Sequence, residues 1–326
     1  MSRIFRLFHP EVFQGVQRSK RYFEGWYFKQ VSANEQFAFA LIPGISIDEN
    51  GVREAFIQFI DGQSATTHYI PFSGDSFLPE KERLEVRIGM NLFSRDRVKI
   101  DLRPGLDLQG DFTISGHHSL RPTLFRPGIM GWYSYIPFME CYHGMVSMRH
   151  ELSGWIRWNG THHTLDGGSG YIEKDWGRSF PRSWIWMQSH NFDRPDVSLM
   201  FSLADIPWIG YHFPGFLCSF LLGKEIHIMA TYTGAKLEVQ NWDGHSLSIV
   251  ISDNNHKLTL STQQALSGIL KAPTGGKMIR EIAESIDAEI EVQFETLDGE
   301  LLYRGRGRKA GVEMVGEVDG LLSGKI

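Results

Sequence analysis

An all-β protein of two antiparallel barrels related by internal duplication is the fold the sequence predicts, and three observations predict it. Short apolar runs with period-two alternation recur along the whole chain. Glycine is plentiful, 34 against 13 prolines in 326 residues, which suits a turn-rich fold with a real core rather than disorder. An unusual aromatic stretch occurs twice, around Trp26 and again around Trp184, about half the chain apart.

Taken in order, "EQFAFALIPGISI" (35–47) alternates apolar with small or polar residues, and "REAFIQFIDG" (53–62) ends in an Asp-Gly turn signal. "LEVRIGMNLFS" (84–94) and "RVKIDLRPG" (97–105) follow. In the second half "VSLMFSLADI", "FLCSFLLG", "EIHIMATYTG", "LSIVIS", "KLTLST" and "AEIEVQFETLDGELLYRG" repeat the pattern, with Ala288, Ile290, Val292 and Phe294 sharing one face. The best helical segment is "GGKMIREIAES" (275–285), where Met278, Ile282 and Ser285 fall at helical spacing. The most apolar stretch, "DIPWIGYHFPGFLCSFLL" (205–222), contains two prolines and two glycines and reads as a loop followed by a buried strand. Each half carries enough strands for a meandering barrel, which removes exposed edges; a sandwich of the same strand count has the same pattern.

Composition excludes several functions. A net charge of −5 opposes nucleic-acid binding. Two cysteines, Cys141 and Cys218, make no disulfide framework and suit a reducing compartment. No uncharged apolar run approaches 18 residues and the start has no signal-peptide pattern, so a cytoplasmic location is expected. His117–His118 and His162–His163 are strand neighbours on opposite faces, and no HxxxH or CxxC spacing occurs, so no metal is expected.

The repeated stretch reads "YFEGWYFKQ" at 22–30 and "SWIWMQSHNF" at 183–192. Trp26 aligns with Trp184 and Gln30 with Gln188, and each copy leads through a turn into an apolar strand. In strands, Trp26 and Phe28 share a face against Tyr27, as do Trp184 and Trp186 against Ile185. Acids accompany both: Glu24 in the first, and Glu173 and Asp175 in "YIEKDWGRSFP" before the second. Those two project from one face beside Trp176, and burial among indoles raises a carboxyl toward the range of a general acid. A second dense patch at 131–151 holds Glu140, Cys141, Tyr142, His143 and His150; extended, Glu140 and Tyr142 face one side and Cys141 and His143 the other. Aromatic plugs at a barrel end and satisfied polar strand residues account for the same patterns.

On the strength of "YFEGWYFK", "PFMECYHGMVSM", "GYIEKDWGRSFPRSWIWMQ" and "AGVEMVGEV", the chain resembles the tocopherol cyclase family, whose plant members close the chroman ring of vitamin E from a prenylated hydroquinone. The family is similar to a wider two-barrel group that includes carotenoid hydratases and polyketide cyclases. The resemblance implies two lipocalin-like (calycin-like) barrels, expected over 1–165 and 166–326, with no cofactor. It departs from lipocalins in one respect: their early Gly-x-Trp is replaced by adjacent Gly25 and Trp26. The lack of a plastid-type leader points to a bacterial member.

Closing such a ring means protonating an alkene, holding a tertiary cation and deprotonating a phenol. The expected catalytic set is Glu173 or Asp175 as acid and His143 or Glu24 as the phenol's base, with Glu140 a further ionisable candidate. The expected substrate contacts are Trp26, Phe28, Tyr142, Trp176, Trp184, Trp186, Gln188 and Asn191, the tryptophans as cation-stabilising walls. The substrate is a hydrophobic small molecule that a bilayer also holds; 125–138 and 206–216 carry aromatics suited to a membrane interface, and ordinary loops packed on the barrels account for the same stretches. A ligand carrier without turnover and an isoprenoid hydratase are the alternatives.

Overall fold

The computed structural model describes residues 3–208 and 210–324 and consists almost wholly of antiparallel strands. In chain order the first twelve are β1 (Tyr22–Val31), β2 (Ala38–Ile47), β3 (Arg53–Asp61), β4 (Thr67–Ser73), β5 (Phe77–Pro79), β6 (Glu85–Ile88), β7 (Asn91–Ser94), β8 (Arg97–Asp101), β9 (Leu108–His118), β10 (Cys141–Trp158), β11 (Thr161–Thr164) and β12 (Ser169–Gly177). They form one sheet in the order β4-β3-β2-β1-β12-β10-β9-β8-β7-β6-β5, with β11 paired to β10. Its two ends are consecutive in sequence, joined by the turn Gly74–Ser76, so the sheet nearly closes into a barrel.

The remaining strands are β13 (Trp184–Ser189), β14 (Val197–Trp208), β15 (Tyr211–Leu222), β16 (Glu225–Ala230), β17 (Lys236–Trp242), β18 (Ser246–Ser252), β19 (His256–Gln263), β20 (Gly268–Thr274), β21 (Lys277–Thr296) and β22 (Leu301–Val315). Their sheet runs β16-β15-β14-β13-β22-β21-β19-β18-β17, with β20 paired to β21. The two orders share a plan, a four-strand meander whose first strand pairs with the last strand of its own sheet, and differ beyond it, where the first sheet's path is two strands longer. That correspondence is the duplication, and it places the two aromatic stretches on equivalent strands, β1 and β13.

The faces, however, are not equivalent. Trp26 and Phe28 belong to the first sheet's apolar core with Phe39, Phe59 and Phe112. In the second sheet Ile185 and Met187 enter the core, so Trp184, Trp186 and Gln188 take the opposite face. Aligning Trp26 with Trp184 is therefore one residue out of phase structurally, and a one-residue slip turns every side chain over.

By compactness the chain divides into residues up to 180 together with 270–281, and residues 181–269 together with those from 282 onward. Residues 166–180, grouped with the second half in the sequence expectation, pair into the first sheet through β12. The 270–281 segment is held in the first unit by reciprocal hydrogen bonds, Gln58 Nε2 to the Lys271 carbonyl at 3.0 Å and the Lys271 N–H to Gln58 Oε1 at 2.8 Å.

The helix expected at 275–285 is instead the start of β21. Met278, Ile282, Glu284 and Ile286 are buried at even spacing, and a four-residue interval satisfies period two as well as period 3.6. The two α-helices, α1 (Arg3–Phe8) and α2 (Val318–Ser323), lie elsewhere and are six residues each. The stretch at 205–222, expected as a loop then a strand, is the β14–β15 hairpin paired to its tip at Trp208 and Tyr211. Ile209 lies outside the described residues.

Gly276 shows what the first unit demands of the 270–281 segment. Its φ is +90°, and a Cβ there would sit 2.1 Å from the Ile47 carbonyl oxygen. Gly276→Ala is expected to cost about 1–3 kcal/mol, since neither the backbone strain nor the clash can relax cheaply. Urea denaturation of the variant checks this.

Candidate active site

Strands β1, β12 and β10 lie side by side, and strand alternation sorts their polar residues onto two faces. Tyr171, Glu173 and Asp175 of β12 join Cys141 and His143 of β10 on one. Glu24 and Trp26 of β1 join Lys174 and Trp176 of β12 on the core face. Glu173 and Asp175 do share a face as expected, but Trp176 and Trp26 are on the other side of the sheet from them.

On the first face His143 is clamped between two carboxylates. Its Nδ1 lies 2.9 Å from Asp175 Oδ1 and its Nε2 3.5 Å from Glu173 Oε2. The Tyr171 hydroxyl donates to Glu173 Oε2 at 2.5 Å. Register dictates this meeting, since β10 and β12 pair His143 directly with Asp175. Burial disfavours the charged ring, but the Asp175 and Glu173 carboxylates outweigh it and lift the His143 pKa to about 9. Burial and the adjoining Glu173 push the Tyr171 phenol well above its ordinary value. Burial, with Asp175 and Glu140 near, does the same to the Cys141 thiol, so that sulfur is no thiolate nucleophile. Nε2 of His143 is buried and makes no hydrogen bond among the described residues; the Glu173 carboxylate, 3.5 Å away, is its charge partner.

The sign of the pH effect follows. A raised folded-state pKa stabilises the fold fully below the unfolded value of about 6.5, and that contribution disappears as pH rises through about 9. An NMR titration of the His143 ring protons is expected to show a midpoint near 9, and Asp175→Asn to move it downward.

His143, Glu173 and Asp175 each offer one ligand atom within 4.8 Å of the others, the donor set a divalent cation would use. The two carboxylates, however, take opposite nitrogens of one ring, an arrangement that suits an imidazolium better than a shared metal.

On the core face Glu24 and Lys174 form a fully buried ion pair, Nζ to Oε1 at 2.5 Å. Glu24 also accepts from the Gln14 and Gly15 N–H groups at 2.9 Å and from the Tyr22 hydroxyl. Lys174 donates to the Pro10 and Val12 carbonyls at 2.8 and 2.5 Å. Burial lowers the Lys174 pKa, with Glu24 opposing it. Its ammonium lies 4.7 Å from the Trp26 ring centre and 4.8 Å from that of Trp176, so both indoles already face a cation. Glu24, saturated with donors, locks the segment before β1 onto the sheet.

A cavity of about 840 Å³ opens in this unit between α1, the segment after it and the 124–138 loop. Tyr142, His143 and Trp176 line it, with Tyr22, Tyr135 and Phe138. Tyr142 and Trp176 stack at 5.5 Å, 8° from parallel, as an aromatic wall. Its volume suits a small hydrophobic molecule.

The other expected residues stand apart from this cavity. Trp26 and Phe28 are closed into the core. Glu140 precedes β10, its carbonyl accepting from the Arg178 N–H at 2.8 Å. In the second unit Trp184 donates its indole N–H to Glu313, and Trp186 and Gln188 are buried on the same strand. Asn191 bridges to Arg308, whose N–H donates to its carbonyl at 2.9 Å. Tyr171 and Lys174, through their bonds to Glu173 and Glu24, carry more of the site than the sequence suggested, and Arg3, Arg6 and Arg18 also line the cavity. Only Tyr171 had a legible signal, standing two residues before Glu173 in the same alternation.

No helix among the described residues is long and apolar enough to cross a membrane. In the loop with aromatics suited to a membrane interface, Phe125 and Phe138 are 83% and 87% exposed, and in the other stretch Tyr211 is 79% exposed.

The family model described as tocopherol cyclase-like matches residues 121–316. A rice protein (Oryza sativa subsp. japonica) named "Probable tocopherol cyclase, chloroplastic" is 28% identical over 151 residues, 44% of this chain and 32% of the rice protein. A chloroplastic tocopherol cyclase of maize (Zea mays) is 41% identical over 63 residues, 19% of this chain and 13% of its own. The chain thus covers a third or less of these plant relatives' length. Among solved structures, CghA with Sch210972 aligns at a TM-score of 0.57 and 12% identity, over 90% of this chain and 89% of that one. Kievitone hydratase from Nectria haematococca aligns at 0.50 and 11%, over 94% of each. At such identities the structural likeness establishes the fold alone.

Proposed function

The chain belongs to the tocopherol cyclase-like family, and we propose from that premise that it closes a ring on a prenylated phenol by internal proton transfer. The observation that carries this reading is His143: charged near neutrality, held by Asp175 and Glu173, buried, with its Nε2 unbonded and the residue in the cavity wall.

Ring closure is proton-neutral. One alkene carbon gains a proton as the phenol oxygen bonds to its neighbour and loses its own. The His143 imidazolium gives one such proton from Nε2, and the pair it forms with Glu173 takes the phenol's in return, ending as it began. Asp175 fixes the ring through Nδ1, and Tyr171 steadies the Glu173 carboxylate. The stacked Tyr142 and Trp176 lie on the opposite face of β10 and β12 from the His143–Glu173 pair and bound the cavity as an apolar wall for the substrate's body. An imidazolium of pKa about 9 is a weak acid for an alkene, so C–O bond formation must accompany protonation rather than follow it.

Incubating the protein with 2-geranylhydroquinone under reducing conditions tests the proposal. A product of unchanged mass with chroman absorbance is the expected result. A product heavier by one water identifies hydration by the same proton donor. Substrate retained on the protein and unchanged identifies a carrier.

A further inference from the structure

Three arginines, Arg3, Arg6 and Arg18, line the cavity beside Tyr22, Tyr142 and Trp176, and no aspartate or glutamate does. None of the three forms an ion pair among the described residues. The Arg18 guanidinium carbon lies 5.7 Å from the Tyr22 ring centre. Their field converges on the cavity: burial raises the Tyr142 phenol, and Arg18 and Arg3 both act against that rise. Arg18 and Arg6 act likewise on the buried Tyr22. Arg3 and Arg18 are exposed and Arg6 is half-buried, so an anionic group at the cavity's open side would meet all three.

We propose that the cavity binds an anionic amphiphile: a prenylated phenol bearing a carboxylate on its ring, held by Arg6 and Arg18. The flat Tyr142–Trp176 stack accepts an aromatic ring, and guanidinium groups match a carboxylate's two oxygens. A prenyl phosphate shares the charge and the apolar body but has no ring for that stack. The proposal rests on the cyclase reading for the identity of the site, while its test does not require turnover.

Isothermal titration of the full chain with 3-geranyl-4-hydroxybenzoate and with its methyl ester compares the same body with and without charge. The acid is expected to bind about tenfold or more tightly than the ester, the effect of one charge-assisted contact. Arg6→Gln and Arg18→Gln are expected each to weaken the acid about tenfold and to leave ester binding unchanged, which also shows that the cavity is intact. Equal affinity of acid and ester for the unaltered protein overturns the proposal, as does tighter binding of geranyl diphosphate than of the acid. Conversion is scored separately. An acid that binds preferentially without ring closure supports the anion site and removes the cyclase reading for that ring. An ester that cyclises with the acid's own affinity does the reverse.

Discussion

Replacing His143 by glutamine is expected to lower kcat by about 10²–10⁴-fold, the range that a positioned acid–base group contributes. Glutamine keeps polar atoms near Asp175 and Glu173 but exchanges no proton at neutral pH. The neighbours grade the effect. Glu173→Gln removes the negative charge beside Nε2 and leaves the Tyr171 hydroxyl only a neutral amide to donate to, so it approaches the His143 variant. Asp175→Asn leaves a hydrogen-bond partner for Nδ1 but removes the nearer of the two charges. It should therefore lower the pH at which activity falls as well as the rate itself. A merely structural role for Asp175 would alter stability without moving that profile. Stopped chromatographic assays of the chroman formed, over a range of about pH 6–10 that brackets the His143 pKa of about 9, separate these outcomes.

The largest effect on stability is expected on the opposite face of the same strands. Lys174→Met leaves the Glu24 carboxylate buried, with neutral donors and no counter-ion, and removes donors from the Pro10 and Val12 carbonyls. Breaking a buried pair by deleting one partner typically costs about 3–5 kcal/mol. Glu24→Gln is expected to cost a comparable amount, because it strands the ammonium between Trp26 and Trp176 and loses an acceptor for Gln14 and Gly15. The double variant should be less destabilised than the sum of the two, since each single change leaves an uncompensated charge. Urea unfolding of the three proteins measures this coupling. Additive losses would mean that the charges do not interact and that the contacts to the N-terminal segment carry the whole effect.

Much of the fold was legible because strand signals are local. Period-two alternation marked most of the strands, and the paired aromatic stretches revealed a duplication that the matched sheet orders display. What alternation could not supply was pairing. The motif at 170–177 reads as a prelude to the second aromatic stretch, yet it is the closing strand of the first sheet, and only its hydrogen bonding to β1 and β10 shows that. The segment at 275–285 misled for a different reason, because apolar residues four apart satisfy a helix and a strand equally.

Legibility of the site divides similarly. Glu173 and Asp175 were readable as a same-face pair, and His143 as a member of a dense polar patch. Their meeting depends on β10–β12 register, which no local pattern encodes. Glu24 drew attention as an acid among aromatics, whereas its surroundings make it half of a structural ion pair. Lys174 escaped notice because a lysine between two acids normally denotes a solvated face, and here it is fully buried. The cavity arginines come from the chain's opening segment, where sequence offered only scattered charge.

The most direct test of the proton-transfer account is the cyclisation of 2-geranylhydroquinone run in D₂O. The account predicts a chroman carrying one non-exchangeable deuterium, on the ring carbon next to the new C–O centre, delivered by the enzyme as the phenol oxygen attacks. A chroman formed without deuterium at that carbon would contradict alkene protonation by His143 and Glu173 and require a different route to the ring.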